Sequence, residues 1–335
     1  MKKKILTIVA AVMVLVMTAC GGTTEDPKDA SSVETTSTEA QKIEWPEKAI
    51  QIVVPYAAGG DTDYYARTTA KYLEKELGQN VVVVNTTGAN GSNAAISVLD
   101  AANDGYTILF GHQGTLFTQA AGSTPFSYLT DFDTVGNIIT DGSYTLVASK
   151  ELGFTNIQEM VSYAKENPGQ LRVPANQGTV SAYTFSKIQK ALGIDLKEIE
   201  GSNSAAEKLA AVLGGQYDMF YANYNLLKDY VANGDFIVMG AMGEDVPTMP
   251  ELKTFKDQGY DMIDEYNFML RVKAGTNTAI VSKLADALKN IAENEDFAKE
   301  VAQYNGYINF KSGEDSLKYQ QETLDSMTEF VNAGK

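Results

Sequence analysis

Three almost uninterrupted apolar runs, each leading through a small polar turn into a helical stretch, constrain this chain more than any other feature. IQIVVP (50–55) enters YAAGG (56–60) and then TDYYARTTAKYLEKEL (62–77). In that stretch Tyr65, Thr69, Tyr72, Leu73 and Leu77 recur near a helical period, and Gly78 follows as a stop. VVVVN (81–85) precedes GSNAAISVLDAA (91–102), and YTILF (106–110) is the third run. A strand without polar alternation is buried on both faces, which indicates a mainly parallel sheet flanked by helices. Further strands are expected near 134–139, 144–149, 170–174, 197–200, 217–222, 236–242 and 268–273, with helices near 156–167, 179–192, 204–213, 278–293 and 313–332. That number of elements suits two α/β lobes. Open α/β sheets bind ligands at the carboxyl ends of their strands, and two lobes would set such ends face to face across a cleft.

The 335 residues carry a formal charge of −16, which excludes a nucleic-acid partner and a polybasic membrane patch. One Cys rules out an intramolecular disulfide and a Cys-rich zinc site. One His rules out an imidazole-rich metal site. No metal or cofactor is expected.

Lys2, Lys3 and Lys4 precede the apolar ILTIVAAVMVLVM (5–17), and Met17-Thr18-Ala19 leads to the lone Cys20. This is the layout of a signal peptide over 1–19, with small residues before the cysteine as in a lipobox. Met17 departs from the usual Leu. Cys20 is the expected lipidation site. Residues 23–43 are rich in Thr, Ser and Glu without an aromatic, a composition that reads as a flexible tether over 20–43. The chain is expected to be extracytoplasmic and held to the cell membrane by its lipid.

Five turns share one character: Ala57–Asp63, Thr87–Asn93, Gly111–Thr115, Asn176–Ser181 and Gly201–Ala205. Gly lets the backbone approach a ligand, Ser and Thr cap helices, and the free N–H groups of a helix start attract anions. Any one of these is also an ordinary strand-to-helix turn. Five together favour an anion-binding cleft. Enzyme signatures are missing: there is no G-x-x-x-x-G-K-[ST], no G-x-G-x-x-G after the first strand and no G-x-S-x-G. His112 reads as a loop imidazole, on a pocket wall or facing water. Asp61 reads as a carboxylate stabilising a helix start. Asp63 reads either so or as an acceptor for a ligand hydroxyl, ammonium or water. The three arginines, Arg67, Arg172 and Arg271, all lie outside the five turns, so an arginine clamp is possible but not written into the loops, and backbone donors and bridging waters are the alternative.

WPEKAIQIVVPYAAGGDTDYYAR (45–67), NTTGANGSNAA (85–95), DGYTILFGHQGT (104–115), ENPGQLRV (166–173), GTVS (178–181), VLGGQYDMF (212–220), VPTMPEL (246–252) and KAGT (273–276), in this order, resemble the Bug/TctC family. These are the extracytoplasmic substrate-binding proteins of tripartite tricarboxylate transporters. The resemblance runs from Trp45 to the C-terminal helix. It implies a two-lobed fold of the periplasmic-binding-protein kind (type II-like), monomeric and not an enzyme. Lobe 1 would be 44–145 plus 266–335 and lobe 2 146–265, with crossings near 140–147 and 264–270. The cleft would capture a small carboxylate (a di- or tricarboxylate, amino acid or aromatic acid) and present it to the large and small permease subunits. Carried over by motif, the ligand residues are Tyr56, Gly60, Asp61 and Asp63; Asn90, Gly91 and Ser92; Gln113 and Gly114; Gly178, Thr179 and Ser181; Ser202 and Ser204; Asn223; and Phe268 as an aromatic wall. Asp61 stands where the family usually has a small residue, Ala57-Ala58 where Pro is common, and His112-Gln113 is unusual. The extra acid and imidazole would favour a ligand with a donor group, such as an amino or hydroxy acid. Two other readings remain: a sensory component showing its ligand to a membrane receptor, and a secreted hydrolase or lyase using Asp63, His112 and a cleft hydroxyl.

Overall fold

In the structure, a computed structural model that describes residues 44–202 and 204–334, strands and helices alternate along the chain. They are β1 (Ile50–Val54), α1 (Asp61–Leu77), β2 (Val81–Asn85), α2 (Ser92–Asp100), β3 (Thr107–His112), α3 (Leu116–Ala120), β4 (Phe132–Asp141), β5 (Tyr144–Ser149), α4 (Ile157–Glu166) and β6 (Arg172–Pro174). Then follow α5 (Val180–Leu192), β7 (Lys197–Ile199), α6 (Ala205–Leu213), β8 (Met219–Asn223), α7 (Tyr224–Ala232), β9 (Phe236–Ala241), β10 (Tyr266–Lys273), α8 (Thr278–Ala292), α9 (Glu295–Ala302), β11 (Tyr307–Ser312) and α10 (Gly313–Ala333). The fold is two-lobed α/β. One sheet has the order β11-β4-β10-β3-β1-β2; the second has β8-β5-β9, with the pair β6-β7 beside it. The signal peptide, Cys20 and the tether lie outside the described residues. Among the described residues no helix is long and apolar enough to cross a membrane.

The period of two along each strand explains the apolar runs. Ile52, Val54, Ile108 and Phe110 face a core completed by Tyr65 of α1 and by Leu284 and Leu288 of α8. Val53 and Leu109 point to the other face, against Ala94 and Val98 of α2 and Leu324 and Met327 of α10. In the second sheet Leu146 and Ala148 meet Met160 of α4 and Phe185 and Ile188 of α5, while Val147 meets Leu209 and Val212 of α6 and Leu227 of α7. Each Val, Leu, Ile, Met or Phe among them, withdrawn from water, contributes ~1.5–3 kcal/mol. Helix α1 shows the local logic: Tyr65, Thr69, Tyr72 and Leu73 are its buried stripe. Gly78, at φ 68°, ends it by donating its N–H to Glu74 O.

The strand directions differ from the expected mainly parallel sheets. Only β1-β2, β1-β3 and β6-β7 are parallel; β10-β3, β10-β4, β11-β4, β5-β8 and β5-β9 are antiparallel. The connectivity is the reason. The chain leaves the first sheet by β4, enters the second at β5 and returns by β10, so the outgoing and returning strands run in opposite senses. The carboxyl ends of β1, β3 and β4 and the start of β10 therefore lie at one edge, with Phe268 opposite His112 and Tyr266 opposite Asp141. In the second sheet the start of β5 lies beside the ends of β8 and β9. Helices α3, α7 and α9 and strand β11 are additions to the expected elements.

Candidate functional site

Where these strand ends meet there is a cavity of about 680 Å³. One side is built by Tyr56–Thr62 between β1 and α1, by Asn90, by His112 and Gly114 after β3, and by Tyr266 and Tyr304. The other is built by Gly178–Ser181 at the start of α5, by Ser204 with Ala205, Ala206 and Lys208 of α6, and by Tyr221–Asn223 at the end of β8. Of the residues singled out in the sequence, Tyr56, Gly60, Asp61, Asn90, Gly114, Gly178, Thr179, Ser181, Ser204 and Asn223 line it.

Helix N-termini converge here. α5 begins without a side-chain cap: the Thr179 hydroxyl donates instead to Asn176 O at 2.6 Å and pairs with Ser181 Oγ at 2.9 Å. The first N–H groups of α5 are thus unclaimed by a side-chain cap in a segment, Thr179–Ser181, that lines the cavity, a start of the kind that binds anions. α6 and α7 are capped by Ser204 and Asn223. α1 differs, because its own acids occupy its start. Asp61 accepts the Thr62 N–H at 2.6 Å, and Asp63 accepts the Gly59 N–H at 3.0 Å.

Asp63, Gly91, Ser92, Gln113, Ser202 and Phe268 do not line this cavity. Asp63 is buried and pairs with Arg67 at 2.9 Å while accepting from Asn85 Nδ2 at 2.9 Å. Burial opposes its charge, but hydrogen bonds from Arg67, Gly59 and Asn85 outweigh it and hold the carboxyl below its ordinary value. Gly91 packs against Pro55 and Thr115, and Ser92 is buried at the start of α2. Gln113 turns to β10, donating to Glu265 O and accepting from Asn267 N at 2.9 Å. Ser202 accepts the Ser204 N–H. Phe268 is fully buried beneath His112, one pleat deeper than Tyr266, which takes the wall position. Asp63 and His112 form no acid–imidazole pair, so the hydrolase reading lacks its base. The arginines are also structural: Arg172 pairs with Asp218, and fully buried Arg271 donates to Gln320 Oε1 at 2.8 Å under the ring of Tyr128.

The sequence reading missed a tyrosine cluster and a lysine. Tyr144 and Tyr266 stack with ring centroids 3.7 Å apart, and Tyr56 stacks on His112 at 4.9 Å. Tyr221, Tyr304 and Phe117 extend the wall. The Tyr144 hydroxyl donates to Asp61 Oδ2. Burial keeps the phenols of Tyr56, Tyr144, Tyr221 and Tyr266 protonated well above neutral pH, so they act as neutral donors. His112 Nδ1 accepts the Gly114 N–H at 3.0 Å, and burial lowers the imidazole to about 4, leaving a neutral ring at physiological pH. Lys208 reaches the cavity from α6, and burial alone lowers it to about 8. A lysine on the inner face of a helix that begins at one of the five turns was the available signal. Among the described residues no group of three His, Cys, Asp or Glu could hold a metal.

Behind the cavity lies Asp141, fully buried where β4 passes to β5. It accepts from Tyr65 OH at 2.8 Å, Ser143 N at 2.8 Å, Ser143 Oγ at 2.6 Å and Asn223 Nδ2 at 2.7 Å. It joins α1, the crossing segment and β8. Burial, helped by the charge of Asp61, raises it to about 6 against the hydrogen bonds that favour ionisation.

A family model described as tripartite tricarboxylate transporter family receptor (TctC) matches residues 65–334. A UPF0065 protein from the gbd 5′ region of Cupriavidus necator is 27% identical over 294 residues, covering 85% of this chain and 87% of that protein. The periplasmic binding protein BugD superposes with a TM-score of 0.70 at 27% identity, over 86% of this chain and 98% of that one. MatC of Rhodopseudomonas palustris, solved with malate, gives a TM-score of 0.71 at 24% identity over 86% of this chain and 100% of that one. At that identity the last likeness speaks for the fold.

Proposed function

Because this chain belongs to the tripartite tricarboxylate transporter receptor family, whose members are substrate-binding receptors rather than enzymes, we propose that its cleft closes on a small carboxylate. The observation that carries this reading is the open start of α5 facing the cavity beside Lys208. Backbone N–H groups and one ammonium on that side, with phenolic donors around them, complement a carboxylate without an arginine clamp. In this reading the lobes are 44–145 plus 266–335 and 146–265, and the ligand bridges them and populates the closed form. The ligand residues are those of the expected set that line the cavity, joined by Tyr144, Tyr266 and Lys208. The protein is tethered through Cys20 outside the cytoplasm, works as a monomer and hands its ligand to the permease subunits.

Thermal denaturation of the purified protein across a panel of mono-, di- and tricarboxylates, amino acids and aromatic acids tests this reading. A saturable rise in melting temperature with some of them, abolished when the carboxylate is replaced by a primary amide, is the expected result. No shift with any carboxylate would remove it.

A further inference from the structure

Two charges of opposite sign face the cavity from opposite sides, and neither is neutralised within the protein. Asp61 stands at the start of α1. Its Oδ1 accepts from Thr62 N and Oγ1 and its Oδ2 from the Tyr144 hydroxyl, all neutral donors. Among the described residues no Lys or Arg pairs with it. Burial is the main reason the phenols of Tyr56, Tyr144 and Tyr304 are raised, and the negative charge of Asp61 adds to it. Lys208, on α6, has no hydrogen-bond or ion-pair partner among the described residues. Its depression comes from burial with no carboxylate to offset it, so Asp61 does not compensate it. The walls near Asp61 are aromatic faces, with Tyr144 stacked on Tyr266 and Tyr304 beside them. Such faces attract a cation and offer nothing to an anion.

We propose that the ligand is a carboxylate whose other end carries a protonated amine, with Lys208 and the start of α5 receiving the carboxylate and Asp61 the amine. This rests on reading the cleft as a carboxylate clamp. An amino carboxylate compensates both of these partly buried charges on closure. A simple dicarboxylate compensates Lys208 and sets its second charge against Asp61, which is a penalty in a site withdrawn from water. Each lobe then contributes one charge to recognition, so closure and selectivity depend on the same two groups.

The test is calorimetric titration of the purified protein with three probes of equal chain length, 6-aminohexanoate, hexanoate and adipate, repeated with the four- and five-carbon homologues. The wild type is expected to bind the amino carboxylate at least about tenfold more tightly than either companion, as for a charge-assisted contact. Asp61→Asn, which keeps an acceptor for Tyr144 or Thr62, is expected to erase that preference. Lys208→Met is expected to weaken all three probes. Melting curves of both variants separate loss of binding from loss of fold. A dicarboxylate that binds as tightly as the amino carboxylate, or a preference unchanged in Asp61→Asn, overturns the inference and leaves the clamp standing. If no carboxylate with or without an amine binds, both readings fall.

Discussion

His112 shows how a single buried residue shapes the site. Its ring lies parallel to Tyr56, edge-on to Tyr266 at 4.8 Å, and over the Gly114 N–H. As the only histidine in the chain, it gives a single imidazole signal in an NMR titration. That signal should stay in the neutral form down to about 4. A Cβ added at Gly114 would lie 2.6 Å from His112 Cε1, and the ring is hemmed in by tyrosines, so Gly114→Ala should displace it and move its pKa up toward 6.5. An unchanged titration in the variant would contradict this packing. Lys208 governs a second pH dependence. In the free protein it titrates near 8, and a bound carboxylate raises that value. A group whose pKa rises on binding favours binding fully below its free value and loses that contribution as pH climbs through the free and bound values. Calorimetric affinity should therefore be level below about 8 and fall above it, and Lys208→Met should flatten the profile.

Among the elements, the start of α5 carries the carboxylate contact in the proposed clamp. Val180 is its first helical residue, and Thr179 before it is extended at φ −122°, ψ 162°, a conformation compatible with a following proline. Val180→Pro therefore keeps the helix but deletes one N–H from the cavity. Far-UV circular dichroism should be unchanged while affinity for the carboxylate falls about tenfold; full affinity would show that these donors do not touch the ligand. The helix was legible in the sequence, as were β1, β2 and β3, because strands buried on both faces read as runs of Val, Ile and Leu. α7 was not, because Asn223 ends β8 and caps α7 at once, leaving no glycine turn to mark the change. β11, YINFKS, is only partly buried along its length and lacks the apolar run. Phe268 was placed one pleat too deep for the wall: Tyr266 shares its strand face and sits two residues nearer the mouth. Asp63 and Gln113 are polar residues beside the site: the Asp63–Arg67 pair is an i,i+4 contact along α1, but Asn85 and the backbone at the start of β10 reach them only once the chain is folded.

For the whole molecule, the strand directions could not be read locally, since they follow from where the chain leaves one sheet and returns. The tyrosine wall is of the same kind: Tyr56, Tyr144, Tyr221 and Tyr266 come from separate elements and meet only where the two sheets end. Asp141, tied to α1, to Ser143 and to Asn223, is the buried polar link between them, and a network so placed fixes how the sheets approach. A clamp works only if both sides of the cleft touch one ligand. The most direct measurement is a crystal structure of the protein with the carboxylate that stabilises it most. The ligand's carboxylate is expected between the 178–181 segment and Lys208, with the rest of the molecule against Tyr56–Asp61 and Tyr266. A ligand held by one side alone, or bound outside the cleft, would contradict the clamp.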